Sequence, residues 1–549
     1  MEQDARFEHA GFTRRGFLKG AGLGAATFAT LGFLGGCAPQ AQGADDAQAG
    51  DGAGQADGGQ RTGSADQARV GEWSPETAPA AIAESDIVET VEADVVIVGA
   101  GCAGMSAALT AVQAGAKVAV VQNTTQAMTH GWSAGALNSA FQASQGFTFD
   151  TSEIQAQYAK LNGGKADERV LRVFMDNSGE TIDWLMDETS GEVPFIGLIG
   201  EPPFAHMWEG QQPAIMQVIF DRAVEGGADV HYSTEGVQLV KDGDRVTAVI
   251  GKRLDGDKGH VKFVASKGVL LATGDYGNDP DMVDAFAPFC SELANTYMPK
   301  VNTGGGHKMG MWIGAALDRP AHAPMIHFDP SPLPEGDAPF SGTPWLAVNK
   351  LGVRYQNEDT DYPYIVNQCI LQPEHMRFQV VDAAYNEHWD DFGGDFMRWT
   401  VSKDNQAEWD AAIKRGAIMQ ADTLEELAGL MGVPKDAFID TVKRYNDLVD
   451  KGVDEDFGKN PDYLKLTKIE AVPFFAIKRV PGVLTILGGL HVNSGLQVLD
   501  TDEQPIEGLY AAGNVSGNFF GNDYPLWLGA ASCGRAVTFG RYAVKSMLA

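Results

Sequence analysis

Val95-Val-Ile-Val-Gly99-Ala-Gly101-Cys-Ala-Gly104 decides the fold. Four apolar residues run into the pattern Gly99-x-Gly101-x-x-Gly104, and Met105-Ser-Ala-Ala-Leu-Thr-Ala-Val-Gln-Ala-Gly115 follows with small residues at helical spacing. This reads as a central parallel strand that turns through glycines into a helix N-terminus. Residues 117–121 supply a second strand and close a βαβ unit. Such a turn makes a pyrophosphate site, because glycines let the backbone approach the phosphates while the helix N–H groups and dipole favour negative charge. The expectation is a bound dinucleotide held by Gly99, Gly101, Cys102, Ala103 and Gly104. The small side chain of Cys102 suits packing within that loop.

The N-terminus bears on location. Thr13-Arg14-Arg15-Gly16-Phe17-Leu18-Lys19 resembles a twin-arginine export signal. The apolar run at 21–34 is rich in Gly and Ala and short for a membrane span. Leu34-Gly35-Gly36-Cys37 looks like a bacterial lipobox. The expectation is a signal over residues 1–36, cleavage before Cys37, and a lipid anchor on its thiol at the outer face of the cytoplasmic membrane. Residues 37–87 are rich in Ala, Gly, Gln and Asp, too poor in large apolar side chains to fold, and read as a disordered tether.

The remaining length suffices for two domains with large cores. A formal charge of −32 argues against nucleic acid and anionic lipid surfaces as partners. After Cys37 the cysteines are Cys102, Cys290, Cys369 and Cys533, with no CxxC pair and no C-x-x-C-H. Neither a structural zinc, nor a clustered iron–sulfur motif, nor a haem attachment site is visible, and no metal is expected.

Further strands follow downstream. Residues 227–240 and 245–250 look like a hairpin. Val269-Leu-Leu-Ala-Thr-Gly274 and Gly508-Leu-Tyr-Ala-Ala-Gly513-Asn514 are strands that end at glycines. To these add Ala134-Gly-Ala-Leu-Asn138, Asn302-Thr-Gly-Gly-Gly-His-Lys-Met-Gly310, Asn349-Lys-Leu-Gly-Val-Arg-Tyr-Gln-Asn-Glu358 and Ile486-Leu-Gly-Gly-Leu-His-Val-Asn493. The stretch at 421–428, where Asp422 reads as a helix cap, and that at 441–458 continue the series. As a set they resemble the FAD-dependent subunit of the fumarate reductase and soluble flavocytochrome c superfamily, from about Val91 to the C-terminus.

The resemblance implies an α/β architecture. A doubly wound FAD-binding, Rossmann-like domain is split in sequence into 88–320 and 481–549, and an α+β capping domain is inserted at 321–480. It implies further FAD contacts at Gln122, Asn123, Ser133, Ala134, Gly135, Val237, Ala272, Thr273, Gly274, Gly489, Gly513, Asn514 and Gly529. Substrates of this family lie between cap and flavin, and cap movement excludes water.

Three departures carry information. The second strand ends in Gln122 where such folds place a Glu or Asp on the ribose hydroxyls; an amide accepts one hydrogen bond and donates another. After Asn357-Glu358 comes Asp359-Thr-Asp-Tyr362-Pro-Tyr364, without the family's proton-donating Arg. Near the C-terminus the family's His and carboxylate-clamping Arg give way to Phe520 and Tyr524. A phenol does not replace the charge of a bidentate guanidinium, so fumarate and succinate are not the expected substrates. Gly521-Asn-Asp-Tyr524-Pro is instead similar to the C-terminal segment of 3-ketosteroid dehydrogenases, where a Tyr hydrogen-bonds the substrate ketone. Leu526-Trp527-Leu528 replaces the glycine-rich stretch that follows in those enzymes.

The catalytic candidates are Tyr524 first, then Tyr362 and Tyr364 on either side of Pro363, and His327, near a family position where a His meets substrate. One of the tyrosines would protonate the α-carbon or hold a carbonyl while hydride goes to the β-carbon. Phe204, Trp208, Phe519, Phe520 and Trp527 are expected to line an aromatic pocket, and His307 is a lesser candidate. Three readings stay open. One is a terminal reductase of an organic enoate or enone, fed by a separate membrane-bound or extracytoplasmic cytochrome or flavoprotein. The others are a ketosteroid-type dehydrogenase and a lipoprotein that uses the flavin fold for binding without turnover.

Overall fold

The computed structural model describes residues 77–256, 258–293, 300–327, 338, 342–388 and 406–549. The export signal, Cys37 and most of the tether lie outside the described residues. Among them, no helix is long and apolar enough to cross a membrane.

The valine-rich strand Ile87–Val98 lies at the centre of an eight-stranded sheet. It pairs in parallel with Val118–Val121 on one side and with His260–Leu271 on the other. The sheet continues in parallel to Asp229–His231 and to Pro505–Ala511, and Gln497–Leu499 adds an antiparallel edge. Val95, Val96, Ile97 and Val98 are buried on both faces, as an unbroken apolar run in a parallel sheet requires. The helices Cys102–Gln113 and Ala531–Leu548 pack on the sheet and against each other, and Glu168–Thr189 packs on the second of them. The expected hairpin is present as Thr234–Asp242 and Arg245–Arg253, which joins the sheet through His260–Leu271.

The strand starts at Ile87, and the Ile82 N–H already donates to Gln238 Oε1 at 3.0 Å. The tether assigned to 37–87 therefore ends earlier than its composition indicated. Backbone pairing holds residues that have little apolar surface of their own.

The chain leaves the sheet domain through Pro324–His327 and returns through Gly482–Ile486, and these two strands pair antiparallel. Between them lies a four-stranded antiparallel sheet ordered Leu346–Val348, Arg377–Val381, Phe474–Arg479 and Ile418–Ala421. Helix Lys435–Lys451 buries Phe438, Val442, Tyr445 and Leu448, one apolar stripe at helical spacing, against this cap core. The preceding helix Leu424–Met431 is capped by Thr423, whose hydroxyl accepts from the Glu426 N–H, and not by Asp422. The sequence order Asp-Thr offers two cap residues, and only backbone geometry chooses between them.

Candidate active site

Val98 pairs with Val121 and with Leu271, and Leu271 pairs with Ala511. The four strands thus end in one row, and their loops leave from one edge. This is the crevice beyond the carboxyl ends of the strands, where open α/β sheets take ligands. Gly99 has φ +105°, and Gly104 sits so close beneath it that a Cβ there would fall 1.8 Å from the Gly99 carbonyl oxygen. Gly101 caps the helix Cys102–Gln113, and the space before it is open; a Cβ would meet only the Met128 carbonyl, at 3.7 Å.

The other predicted cofactor residues gather at the same edge. Ala272, Thr273 and Gly274 follow one strand end, Gly513 and Asn514 the next. Val237 is buried beside Gly236, which packs on Val98. Ser133, Ala134 and Gly135 form a short buried strand, and the Gly135 N–H donates to the Ala530 carbonyl, next to Gly529 and the start of the C-terminal helix. Gly489 packs against Val515, one residue beyond Asn514. Asn123 continues the chain from Gln122.

Gln122 is placed differently from expectation. Its Oε1 accepts the Ala100 N–H at 2.7 Å and its Nε2 donates to Thr124 Oγ1 at 2.5 Å. The amide thus braces the glycine loop with both its ends. Its donor and acceptor capacity follows from residue type, but the loop amide that uses it is met only in the fold.

An extended dinucleotide fits these residues. The cradle before Gly101 is open, and Thr273 Oγ1 is buried with no hydrogen-bond partner among the described residues. A buried hydroxyl in that state needs a bound group's polar atom or a water.

Sequence reasoning missed a buried polar chain at this edge. Asp275 accepts from Thr485 Oγ1 at 2.7 Å, from Asn302 Nδ2 at 3.1 Å and from the Gly277 N–H at 2.8 Å. Asn514 Nδ2 donates to Thr485 Oγ1 at 2.7 Å, and Arg535 Nη2 donates to Asn514 Oδ1 at 3.0 Å. Burial pushes the Asp275 carboxyl up to about 6 and pulls the Arg535 guanidinium down to about 10. Arg535 lies 4.8 Å over the Phe520 ring and 5.4 Å over that of Phe519. Its signal in sequence was a lone cation in the small, apolar run Cys533-Gly-Arg-Ala-Val.

The catalytic candidates fall into two groups. Tyr362 opens the cap helix Tyr362–Ile370, and its ring lies 4.1 Å from that of His327, the last residue of the outgoing strand. Tyr364 is half exposed and faces the carboxylates of Asp361 and Asp523. Asp523 adjoins Tyr524 in sequence, accepts from Asn367 Nδ2 of that cap helix at 2.8 Å, and so ties the C-terminal segment to the cap. Tyr524 is buried, with its ring 5.5 Å from Phe520 and its hydroxyl facing the Ser532 and Ala531 N–H groups in the first turn of the C-terminal helix. Burial drives its pKa well up, so the phenol stays protonated and able to donate.

The aromatic pocket needs correction. Phe519 is enclosed by Tyr158, Phe174, Phe520 and Phe539, and Trp208 by Phe195 and His206. Both are core residues. Phe204 is fully buried and meets Trp527 edge-on at 5.5 Å, leaving Phe520 and Trp527 as the aromatics nearest Tyr524 in the chain. His307 is buried and neutral, pulled down to about 3 by burial, with Nε2 on the Gly488 carbonyl. Aromatic residues fill cores and pockets alike, and spacing does not separate the two.

Comparison with known proteins agrees with this geometry. A family model described as "FAD binding domain" matches residues 94–526. The vinyl phenol reductase of Lactiplantibacillus plantarum is 29% identical over 480 residues, covering 82% of this chain and 94% of that protein. A 3-oxosteroid 1-dehydrogenase of Mycolicibacterium smegmatis is 29% identical over 369 residues, 59% of this chain and 60% of the relative. A flavocytochrome c3 fumarate reductase in an open conformation superposes with TM-score 0.66 at 24% identity, over 84% of this chain and 79% of that one. The chain belongs to the FAD-binding-domain family, and is an FAD-dependent oxidoreductase acting on carbon–carbon bonds.

Proposed function

We propose that this chain is an exported, lipid-anchored reductase of an activated carbon–carbon double bond in an organic acceptor other than fumarate. Enones, enoates and vinyl arenes are the candidate acceptors. One observation carries the reading. Near the place where the fumarate-reducing pattern calls for an arginine, the chain carries Tyr524, buried beside Phe520 and held protonated by that burial. A neutral donor polarises a carbonyl or delivers a proton, but it gives no counter-charge to a dicarboxylate. The resemblance to a vinyl phenol reductase over nearly that protein's whole length supports the same reading.

FAD, when bound, supplies the hydride. Tyr524 orients the acceptor and gives the α-carbon its proton, which solvent then restores to the phenol. Tyr362 and His327 close the cap side and limit the entry of water. Electrons reach the flavin from a separate membrane-bound or extracytoplasmic donor, in an anaerobic respiratory role. A ketosteroid-type desaturation is the second reading, favoured by the Gly521-Asn-Asp-Tyr524 segment and by the 3-oxosteroid dehydrogenase relative.

The test is anaerobic reoxidation of the reduced flavin by one acceptor at a time: fumarate, aryl acrylates, vinyl phenols and unsaturated steroids. Rapid return of oxidised absorbance is expected with one class and not with fumarate; a fumarate response would refute the reading. Tyr524→Phe is expected to lower turnover by roughly 10²–10⁴-fold with flavin content unchanged. Full turnover in that variant removes Tyr524 from catalysis.

A further inference from the structure

Asp523 is the charged side chain beside Tyr524, and the proposed function gives it no role. Each of its oxygens is held by a different segment: Oδ1 accepts its neighbour's Tyr524 N–H at 2.8 Å, and Oδ2 accepts Asn367 Nδ2 of the cap helix at 2.8 Å. Both donors are neutral. Tyr364, on the same cap helix, has its pKa raised by burial and is near enough for the charges of Asp361 and Asp523 to raise it further. The carboxylate is thus fixed where cap and C-terminal segment meet, one residue from the phenol that the proposed function sets against the acceptor. A carboxylate there keeps acceptor lone pairs beyond the two in use.

We propose that Asp523 is a specificity determinant: it repels acceptors that bring a carboxylate to the Tyr524 end of the cleft and accepts a hydrogen bond from the hydroxyl of a neutral, phenolic acceptor. The inference rests on the reading of the site as an acceptor cleft. The physics is selection by an unfavourable term. Two like charges within a few ångströms and partly out of water oppose one another strongly, whereas a hydroxyl offers the same oxygen a donor. The bond to Asn367 adds a second condition. A ligand that displaces Asp523 also loosens the contact by which the cap closes, so an anion is disfavoured twice.

The experiment titrates the oxidised holoenzyme and reads the shift in flavin absorbance. The ligands are 4-ethylphenol and 4-ethylbenzoate, which place a hydroxyl or a carboxylate at the same position of the ring. Turnover is measured in parallel with 4-vinylphenol and 4-vinylbenzoate, using reduced methyl viologen as electron source. The wild-type protein is expected to prefer the neutral ligand. Asp523→Asn keeps the shape and the acceptor for the Tyr524 N–H, donates to Asn367 Oδ1 once that amide turns over, removes the charge, and is expected to cut that preference at least tenfold. Asn367→Lys leaves Asp523 in place, sets a cation against it, and is expected to shift the preference in the same direction. Wild-type preference in both variants, with flavin retained, overturns the proposal. If Asp523→Asn loses its flavin, Asn367→Lys decides alone. Altered binding preference without turnover of either acceptor would keep Asp523 as the selector and remove the reductase reading instead.

Discussion

The strand-end edge and the cap-side cleft are built on different rules. At the edge, Gly99, Gly101 and Gly104 matter for what they lack, because backbone must pass within contact of backbone and leave open space in front. On the cap side the contacts are made by side-chain tips, as where Asn367 donates to Asp523 and the His327 ring lies against Tyr362. A Cβ at Gly104 would fall 1.8 Å from the Gly99 carbonyl oxygen, so the first rule leaves no room for change, whereas a side-chain tip can be exchanged without moving the backbone. On the function proposed above, backbone shape holds the cofactor and side-chain tips choose the acceptor.

The harshest way to break that contrast is Gly104→Ala. One methyl group 1.8 Å from the Gly99 carbonyl cannot be absorbed by a side chain, only by moving strand against helix. The expected cost exceeds ~4 kcal/mol, with loss of flavin absorbance from the purified protein. Next is Arg354→Leu in the cap. Arg354 donates to Glu358 at 2.9 Å and to Asp454 at 2.8 and 2.9 Å, all three buried. Removing the guanidinium strands two carboxylates and is expected to destabilise the cap by roughly 3–5 kcal/mol. Flavin content should survive while turnover falls, because the damage lies away from the strand ends. Proteolysis confined to the cap, with flavin absorbance retained, is the result that checks it.

How much of this was legible follows the same division. The run at Val95–Val98, the glycine spacing and the two later strand ends were plain in the sequence, since backbone constraints print directly as residue type. Phe519 and Trp208 lie in the core, which spacing alone does not distinguish from a pocket wall, since a large aromatic is equally at home in both. Arg535, Asp275 and Thr485 were missed, because they meet only when distant segments fold together: Asp275 and Thr485 are 210 residues apart. Long-range polar partnership leaves no local periodicity to read.

Acid sharpens the comparison further. His206, in the small sheet beside Ser133–Gly135, donates Nδ1–H to the Phe204 carbonyl and accepts from Ser139 through Nε2 at 2.7 Å. Burial pulls it down to about 4, below its ordinary 6.5, so the unfolded chain binds the proton first. Its share of stability is present above 6.5 and is lost as pH falls towards 4, about 3 kcal/mol in all. Asp275, pushed up to about 6 by burial, acts with the opposite sign, so His206 is read by difference. The wild type is expected to lose Tm relative to His206→Gln between pH 6.5 and 4. In the cap, burial alone would raise Asp454, but Arg354 and backbone N–H groups bring it down to about 2. Its stabilisation is complete above 3.8 and fails only below that, so the cap core should outlast the sheet side in mild acid.

The smallest expected effect is at Gln122, where the two rules meet. It stands at the strand-end edge, yet its contribution comes from a side-chain tip. Its Oε1 satisfies the Ala100 N–H inside the glycine loop, so Gln122→Ala leaves that buried donor unpaired at a cost of about 1–3 kcal/mol. The loop still forms, because Gly99 and Gly104 set its path, but it presents the pyrophosphate with a less fixed backbone. FAD affinity should fall roughly tenfold or more, with turnover at saturating FAD close to wild type. Gln122→Glu restores the acceptor for Ala100 and should recover most of the affinity. If Gln122 instead met the ribose directly, as its sequence position implies, Gln122→Glu would bind FAD more tightly than the wild type. Titration of the apoprotein with FAD, followed by flavin fluorescence quenching, separates the two outcomes.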